Sequence, residues 1–342
     1  MSDVILDRRD LSFQLFEVLD TDTLFQRPRF AEHSRETIEA ALDTAEKLAR
    51  EKFANHNSLA DKDEPTFVDG KVVMRPEVKT AFDAYINAGF LSSRASFEEG
   101  GMQLPEIAAA ACKGMFTCVN PSSTGYAFLT AAAANVIRNF ASDTLRSQFL
   151  EPMMAGRFTG TMALTEPHAG SSLADIRTRA VPQEDGSYRL KGNKIYISGG
   201  DNELADNIVH LVLAKIPGGP EGVKGISLFV VPKYRLDAQG NPGERNDVVL
   251  AGLIHKLGYR GTTSTALTFG DNDDCHGYLV GEAHQGLRYM FQMMNEARVG
   301  VGFGAAVLGD LADFPRGAFS RNFCPTKIKS ASASEFHTTR SR

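Results

Sequence analysis

No stretch of the 342 residues approaches the ~20 consecutive apolar residues that a membrane-spanning helix needs. The N-terminus, MSDVILDRRDLSFQLFEVLD, is acidic and has no long apolar run, which argues against a signal peptide. Cysteine is scarce. Cys112, Cys118, Cys275 and Cys324 are widely spread, and no CxxC-type metal spacing occurs. A reduced, cytoplasmic protein is the expectation. Positive charge is short too: 37 basic residues face 42 acidic ones, a formal net charge of −5. Six of the basic residues fall in 316–342 beside one acid, Glu335, so the rest of the chain is more acidic than the whole. Such a body is a poor match for nucleic acid, whose affinity rests on phosphate neutralisation. What is present is a 42% hydrophobic, 23% charged composition, enough for a sizeable core over about two domains.

Residues 1–33 read as an extension with a short helix at Leu15–Leu19. Residues 34–53 read as an amphipathic helix capped by Ser34, with Ile38, Leu42, Ala45, Leu48 and Ala49 at helical spacing. A polar stretch, Asn55–Glu64, follows. Pro76 opens a helix that Gly89 stops. Further helices are expected over Leu104–Thr117, Ser122–Phe140 and Ser142–Met154, which makes the first 157 residues all-helical.

The pattern changes at Phe158. Short runs rich in β-branched residues follow at Phe158–Thr165, Ile176–Val181, Tyr188–Lys191, Lys194–Ser198, Ile208–Ile216, Ile226–Val231, Val248–Leu253 and Ser264–Phe269. They predict a separate β domain, a barrel or sandwich. After Gly281 the helical period returns, with Leu287, Met290, Phe291, Met294, Ala297 and Val301 on one long face. From Pro315 the chain turns polar and basic: eight of the residues 316–342 are Ser or Thr. The change fits a shifted reading frame or an early stop as well as a native polar tail. The organisation expected is therefore an extension (1–34), a helical domain (35–157), a β-barrel (158–281), one further helix (282–314) and an aberrant tail (315–342).

Four runs carry chemistry. In Met162-Ala163-Leu164-Thr165-Glu166-Pro167-His168-Ala169-Gly170-Ser171-Ser172, a strand ends at Thr165 and two hydroxyls, Thr165 and Ser171, flank a bend. The bend offers hydroxyls and backbone N–H groups to a flat polar ring. The same groups also serve an ordinary strand-ending turn. In Lys191-Gly192-Asn193-Lys194-Ile195-Tyr196-Ile197-Ser198-Gly199-Gly200, an aromatic ring and a hydroxyl share one side of a strand by period two. The third run is Leu257-Gly258-Tyr259-Arg260-Gly261-Thr262-Thr263-Ser264-Thr265, and the fourth is Met294-Asn295-Glu296-Ala297-Arg298-Val299-Gly300. A lone helical arginine such as Arg298 is more often one half of a surface ion pair.

In order and spacing these runs resemble the acyl-CoA dehydrogenase family. Thr-Glu-Pro-x-Ala-Gly-Ser is its most specific signature, and Ile-Tyr-Ile-Ser-Gly-Gly is similar to its Trp-Ile-Thr-Asn-Gly strand. Leu-Gly-Tyr-Arg-Gly-Thr is similar to its Gly-x-Arg-x-Ser/Thr strand. The Glu-Ala-Arg run resembles its first C-terminal-domain helix. The N-terminal extension and the linker after Gly240 resemble the larger subgroup that includes 3-methylmercaptopropionyl-CoA dehydrogenase. The resemblance implies an α+β multidomain fold: a helical N-terminal domain, a central β-barrel and the start of a C-terminal helical bundle that is mostly missing.

It also implies a fatty-acid-metabolism flavoprotein. Its FAD would take a β-hydride from an acyl-CoA thioester while a Glu base removes the α-proton, and an electron-transfer flavoprotein or similar acceptor would follow. Carried over by residue, Met162 and Leu164 supply backbone contacts to the flavin, and Thr165 bonds its ring edge. Tyr196 and Ser198 replace the usual Trp and Thr beside the ring; the chain has no tryptophan at all. Ser171, Asn295 and Arg298 are assigned to the acyl-CoA, Asn295 standing where many members carry Asp. Glu166 and His168 invite reading as an acid/base pair, but loop position and family pattern argue against it. No catalytic residue is assigned, because the family's base lies later in the bundle, which also mediates homo-oligomerisation and helps hold the adenine half of FAD. The expectation is a truncated, weak or inactive dehydrogenase. The alternative is a non-catalytic acyl-CoA- or partner-binding module.

Overall fold

The computed structural model describes residues 5–313. The stretch 315–342, with Cys324 and Glu335, lies outside them. The helical part comprises α1 (Arg8–Ser12), α2 (Arg35–Leu48), α3 (Asn57–Lys62), α4 (Pro76–Asn87), α5 (Glu106–Val119), α6 (Pro121–Phe140), α7 (Asp143–Leu145) and α8 (Glu151–Met154). At α2 the Ser34 hydroxyl accepts from the Thr37 N–H while the Ser34 N–H donates to the Thr37 hydroxyl, a reciprocal cap. Ile38, Leu42 and Ala45 are buried along its inner face. Gly89 ends α4 with a φ of 78°, a conformation glycine adopts without strain.

Three expectations for this region are corrected. Before residue 34 the expected helix at Leu15–Leu19 proves longer and starts earlier: α1 runs on into a π-helical stretch, Phe13–Val18, and 3-10 turns follow at Thr21–Gln26 and Pro28–Phe30. Ile5, Leu15 and Phe16 are buried in the helical core, and that packing orders the segment. The polar stretch after Asn55 contains α3. The region is also not all-helical: β1 (Thr66–Val68) and β2 (Lys71–Val73) pair antiparallel across Asp69-Gly70, both at positive φ.

The β part comprises β3 (Phe158–Ala163), β4 (Arg179–Pro182), β5 (Tyr188–Ser198), β6 (Asn207–Lys215), β7 (Ile226–Pro232), β8 (Tyr234–Leu236), β9 (Pro242–Arg245), β10 (Val248–Leu253), β11 (Ser264–Phe269) and β12 (His276–Leu279). The main sheet runs β10-β11-β5-β12-β7-β6-β3. β4 pairs with both β5 and β6, which closes the ring β5-β12-β7-β6-β4 into a barrel. The two runs Tyr188–Lys191 and Lys194–Ser198 prove to be one strand, and β8, β9 and β12 are additional to the sequence reading. Along β6, Val209, Leu211 and Leu213 pack outward with residues of α6, whereas Val212 and Ala214 fill the barrel with Phe229 and Phe269. A strand covered on both faces reads as a continuous apolar run, as this one does.

The last described helix, α9 (Gly286–Asp313), joins the two parts. Tyr289, Met290 and Met293 belong to the cluster on the outer face of β6 and β7, and Phe303 and Val307 pack into the helical core. At Gly286 an added Cβ would lie 2.2 Å from the Ser227 carbonyl carbon, so the helix can enter there only on glycine. No helix among the described residues is long and apolar enough to cross a membrane.

Candidate functional site

The end of β3 and the end of β5 meet at one hydrogen bond: the Ile195 N–H donates to the Thr165 carbonyl at 2.9 Å. Here β5 carries one residue too many. Ile197 faces Thr265 and Lys194 faces Leu267 on β11, so three steps on β5 match two on its partner. The extra residue is a β-bulge, and within it Tyr196 has a φ of 61°, rare for a bulky side chain. The bulge shifts the strand's parity. Leu190 and Lys194 face inward before it and Ile197 after it, leaving Tyr196 and Ser198 exposed, Tyr196 to 62%. Bulges and positive-φ outliers collect at sites that must aim a side chain.

The hydroxyls sort into two sets. Thr178 bonds Glu166, Thr262 bonds the Ser122 carbonyl, Thr263 the Asp201 carbonyl and Thr265 the Ile197 carbonyl. The third sequence run is thus a clamp between barrel and α6, reinforced by Tyr126, whose hydroxyl donates to the Gly261 carbonyl and accepts from the Thr263 N–H. Ser264, buried in the third run, has a hydroxyl that bonds nothing among the described residues, and on the exposed side Thr165, Ser171 and Ser198 form the other set. Their hydroxyls bond nothing among the described residues, and each side chain is at least partly exposed. Three unengaged hydroxyls and an unstacked tyrosine beside two backbone bends fit the polar edge of a flat heteroaromatic ring such as isoalloxazine.

The loop between them is held from inside. Glu166 is 3% exposed and Lys194 1%. The Lys194 ammonium donates to Glu166 Oε1 and to the Leu164 carbonyl, both at 2.9 Å. Glu166 also accepts from the Arg177 N–H (2.7 Å), the Thr178 N–H (3.0 Å) and the Thr178 hydroxyl (2.6 Å). Burial works to raise the Glu166 pKa, but the Lys194 charge and the donors outweigh it and hold the carboxyl below its ordinary value. Burial brings Lys194 down to about 8, with Glu166 acting against it. His168 is exposed, its Nε2 3.2 Å from the Asp175 carbonyl and 3.7 Å from Glu166 Oε2. A carboxylate saturated with donors is a strut, so Glu166 and His168 do not form an acid/base pair.

The other expected residues lie as follows. Met162 sits half-buried in β3 opposite Leu211. Leu164 is nearly buried, its carbonyl turned to Lys194. Asn295 and Arg298 are exposed on α9 and bonded to each other at 3.1 Å, with the Arg298 guanidinium 5.6 Å from the Phe291 ring centre. Their neighbour Glu296 turns the other way, accepting from Arg94 and Asn135 and so fastening α9 to α6. Nothing shown joins Asn295 and Arg298 to the Thr165 wall. Sequence reasoning missed Lys194 and the bulge. The available signal was the conflict in parity between Leu190 and Ile197 along one strand. Among the described residues no group of His, Cys, Asp and Glu could hold a metal ion.

Comparison with known proteins is consistent with this geometry. Residues 161–272 match the model of the acyl-CoA dehydrogenase middle domain. The chain is 36% identical over 304 residues to the 3-methylmercaptopropionyl-CoA dehydrogenase of Ruegeria pomeroyi, covering 89% of this chain and 51% of that protein. It is 37% identical over 304 residues to a butyryl-CoA dehydrogenase of Syntrophomonas wolfei, covering 86% and 50%. The chain therefore spans about half the length of the curated relatives it matches. The solved butyryl-CoA dehydrogenase of Megasphaera elsdenii superposes with a TM-score of 0.66 at 20% identity, over 82% of this chain and 67% of that one.

Proposed function

The chain belongs to the acyl-CoA dehydrogenase family, and from that premise we propose that it serves the flavin-dependent α,β-dehydrogenation of an acyl-CoA thioester, with FAD seated on the Thr165–Tyr196–Ser198 wall. The observation that carries the reading is the set of unengaged hydroxyls beside a bulge that turns Tyr196 and Ser198 outward next to Thr165. Bound FAD would supply a hydride acceptor at N5. The residues of this chain position and polarise. Thr165 and Ser198 would bond the ring edge, and Tyr196 would cover a ring face. The backbone of Met162 and Leu164 borders the same seat. Ser171, on the far side of the bend, would border the entrance for the acyl-CoA, and Asn295 and Arg298 on α9 would approach the CoA moiety. An electron-transfer flavoprotein or similar carrier is the proposed acceptor. The division into 35–157, 158–281 and 282–314 belongs to the same proposal.

One observation favours the second reading, a non-catalytic acyl-CoA- or partner-binding module. Glu166, the buried carboxylate beside the wall, is fully engaged and cannot take a proton from substrate. The two readings separate in one experiment. The purified chain is loaded with FAD and mixed anaerobically with acyl-CoA thioesters. Bleaching of the visible flavin band is expected if the chain oxidises its ligand. Thermal stabilisation without bleaching supports the binding module, and no response to any thioester contradicts both.

A further inference from the structure

We propose that Lys194 is a positioning residue for the flavin, acting through the Leu164–Thr165 peptide; this rests on the flavin reading above. The geometry is specific. Lys194 is 1% exposed, on the inner face of β5 immediately before the bulge, and its ammonium donates to the Leu164 carbonyl at 2.9 Å. In a trans peptide the carbonyl of one residue and the N–H of the next point in opposite directions. Fixing the Leu164 carbonyl inward therefore aims the Thr165 N–H outward, toward the wall. That N–H bonds nothing among the described residues, while the Thr165 carbonyl is tied to the Ile195 N–H beside the bulge. The peptide before Thr165 is thus gripped from inside and the peptide after it from the side. The donor left over faces the place where a ring oxygen or nitrogen of the flavin would lie.

The charge adds to the geometry. An ammonium on the carbonyl polarises the peptide and makes its N–H a stronger donor, an effect that grows where water is excluded. Glu166 balances that charge and holds the ammonium in line. The charged groups around Lys194 are few. Glu166 bonds it, and His168 stands 3.7 Å from the far oxygen of Glu166. Arg177 contributes only its backbone N–H to Glu166, and β11, paired through Leu267, brings no charged side chain. A lysine retained only to support the loop would leave the Thr165 donor indifferent to its charge.

The test is FAD titration of the full chain, followed by flavin fluorescence. Lys194→Met is expected to weaken FAD binding roughly tenfold or more, the loss of about one hydrogen bond's worth of affinity, with the far-UV circular dichroism of the wild type. The second arm uses the wild-type chain alone, where folding is not in question. Its FAD affinity is expected to fall as pH rises from about 7 to about 9, as Lys194, brought down to about 8, loses its charge. A folded Lys194→Met chain that binds FAD as well as wild type, or a flat wild-type profile over that window, overturns the role of Lys194 and leaves the flavin seat standing. A wild-type chain that binds no FAD at any pH overturns the seat itself, and the proposal with it.

Discussion

Glu166→Leu is expected to lower the unfolding free energy by about 3–5 kcal/mol, the usual cost of removing one partner from a buried ion pair. The reason is what the change strands. Lys194 is left 1% exposed without the carboxylate that supports its charge, so it must stay charged unpaired or give up its proton, and the Arg177 N–H, the Thr178 N–H and the Thr178 hydroxyl lose their acceptor. Pairing the change with Lys194→Met is expected to recover part of the loss, because an apolar pair of similar volume avoids the stranded charge. The three other donors stay unsatisfied, so recovery is incomplete. The acid dependence follows from the depressed carboxyl pKa. The stabilisation is fully present above the unfolded value of about 4.3 and is lost as pH falls through the lower folded value. Urea unfolding of the three chains measures this. A loss in Glu166→Leu below about 1 kcal/mol, the range of a surface pair, would contradict the buried-strut account.

His210 sets a second, larger window of acid sensitivity. It is fully buried inside the barrel, Nδ1 2.8 Å from the Thr161 hydroxyl, Nε2 without a partner among the described residues, the ring edge-on to Phe269 at 6.0 Å. Burial, helped by the Lys233 charge, pushes its pKa down to about 3. The folded protein thus holds it neutral while the unfolded chain protonates it below about pH 6.5. Between those values the unfolded state binds the extra proton, so stability falls by roughly 1.4 kcal/mol per pH unit as pH drops, and the loss levels off below about 3. His210→Leu removes this titration and leaves only the Thr161 hydroxyl unbonded. Urea unfolding from neutral to acid pH is expected to show a steeper decline for wild type than for His210→Leu. Parallel curves would show that the imidazole is protonated in the folded state or reaches water.

How far the sequence carries can be argued from these residues. Ser34, Pro76 and Gly89 act locally, through capping and allowed φ, so α2 and α4 are legible from a handful of neighbours. The barrel is legible because β-branched runs broken by turn residues have no other compact solution. The hairpin at Thr66–Val73 is not. Its side chains are mostly exposed, so no apolar alternation announces it. The buried pair is not legible either. Lys194 reads as a surface lysine until Glu166, 28 positions earlier, is folded against it. The bulge at Tyr196 leaves one trace in its own strand, the odd spacing of Leu190 and Ile197, but only the register against β11 shows which residue is the extra one. The same logic explains the hydroxyls. Their types were visible in the sequence, but which of them are engaged depends on Ser122, Asp201 and Ile197.

The most direct measurement is FAD binding by the full chain against the double variant Thr165→Val, Ser198→Ala. Both changes fall on exposed or half-exposed side chains that bond nothing among the described residues, so the fold is expected to keep its thermal midpoint. The account predicts stoichiometric FAD binding by the wild type and affinity at least about tenfold weaker in the variant. Equal affinity in the two chains would contradict it, because a ring held elsewhere would not register the loss of those two hydroxyls.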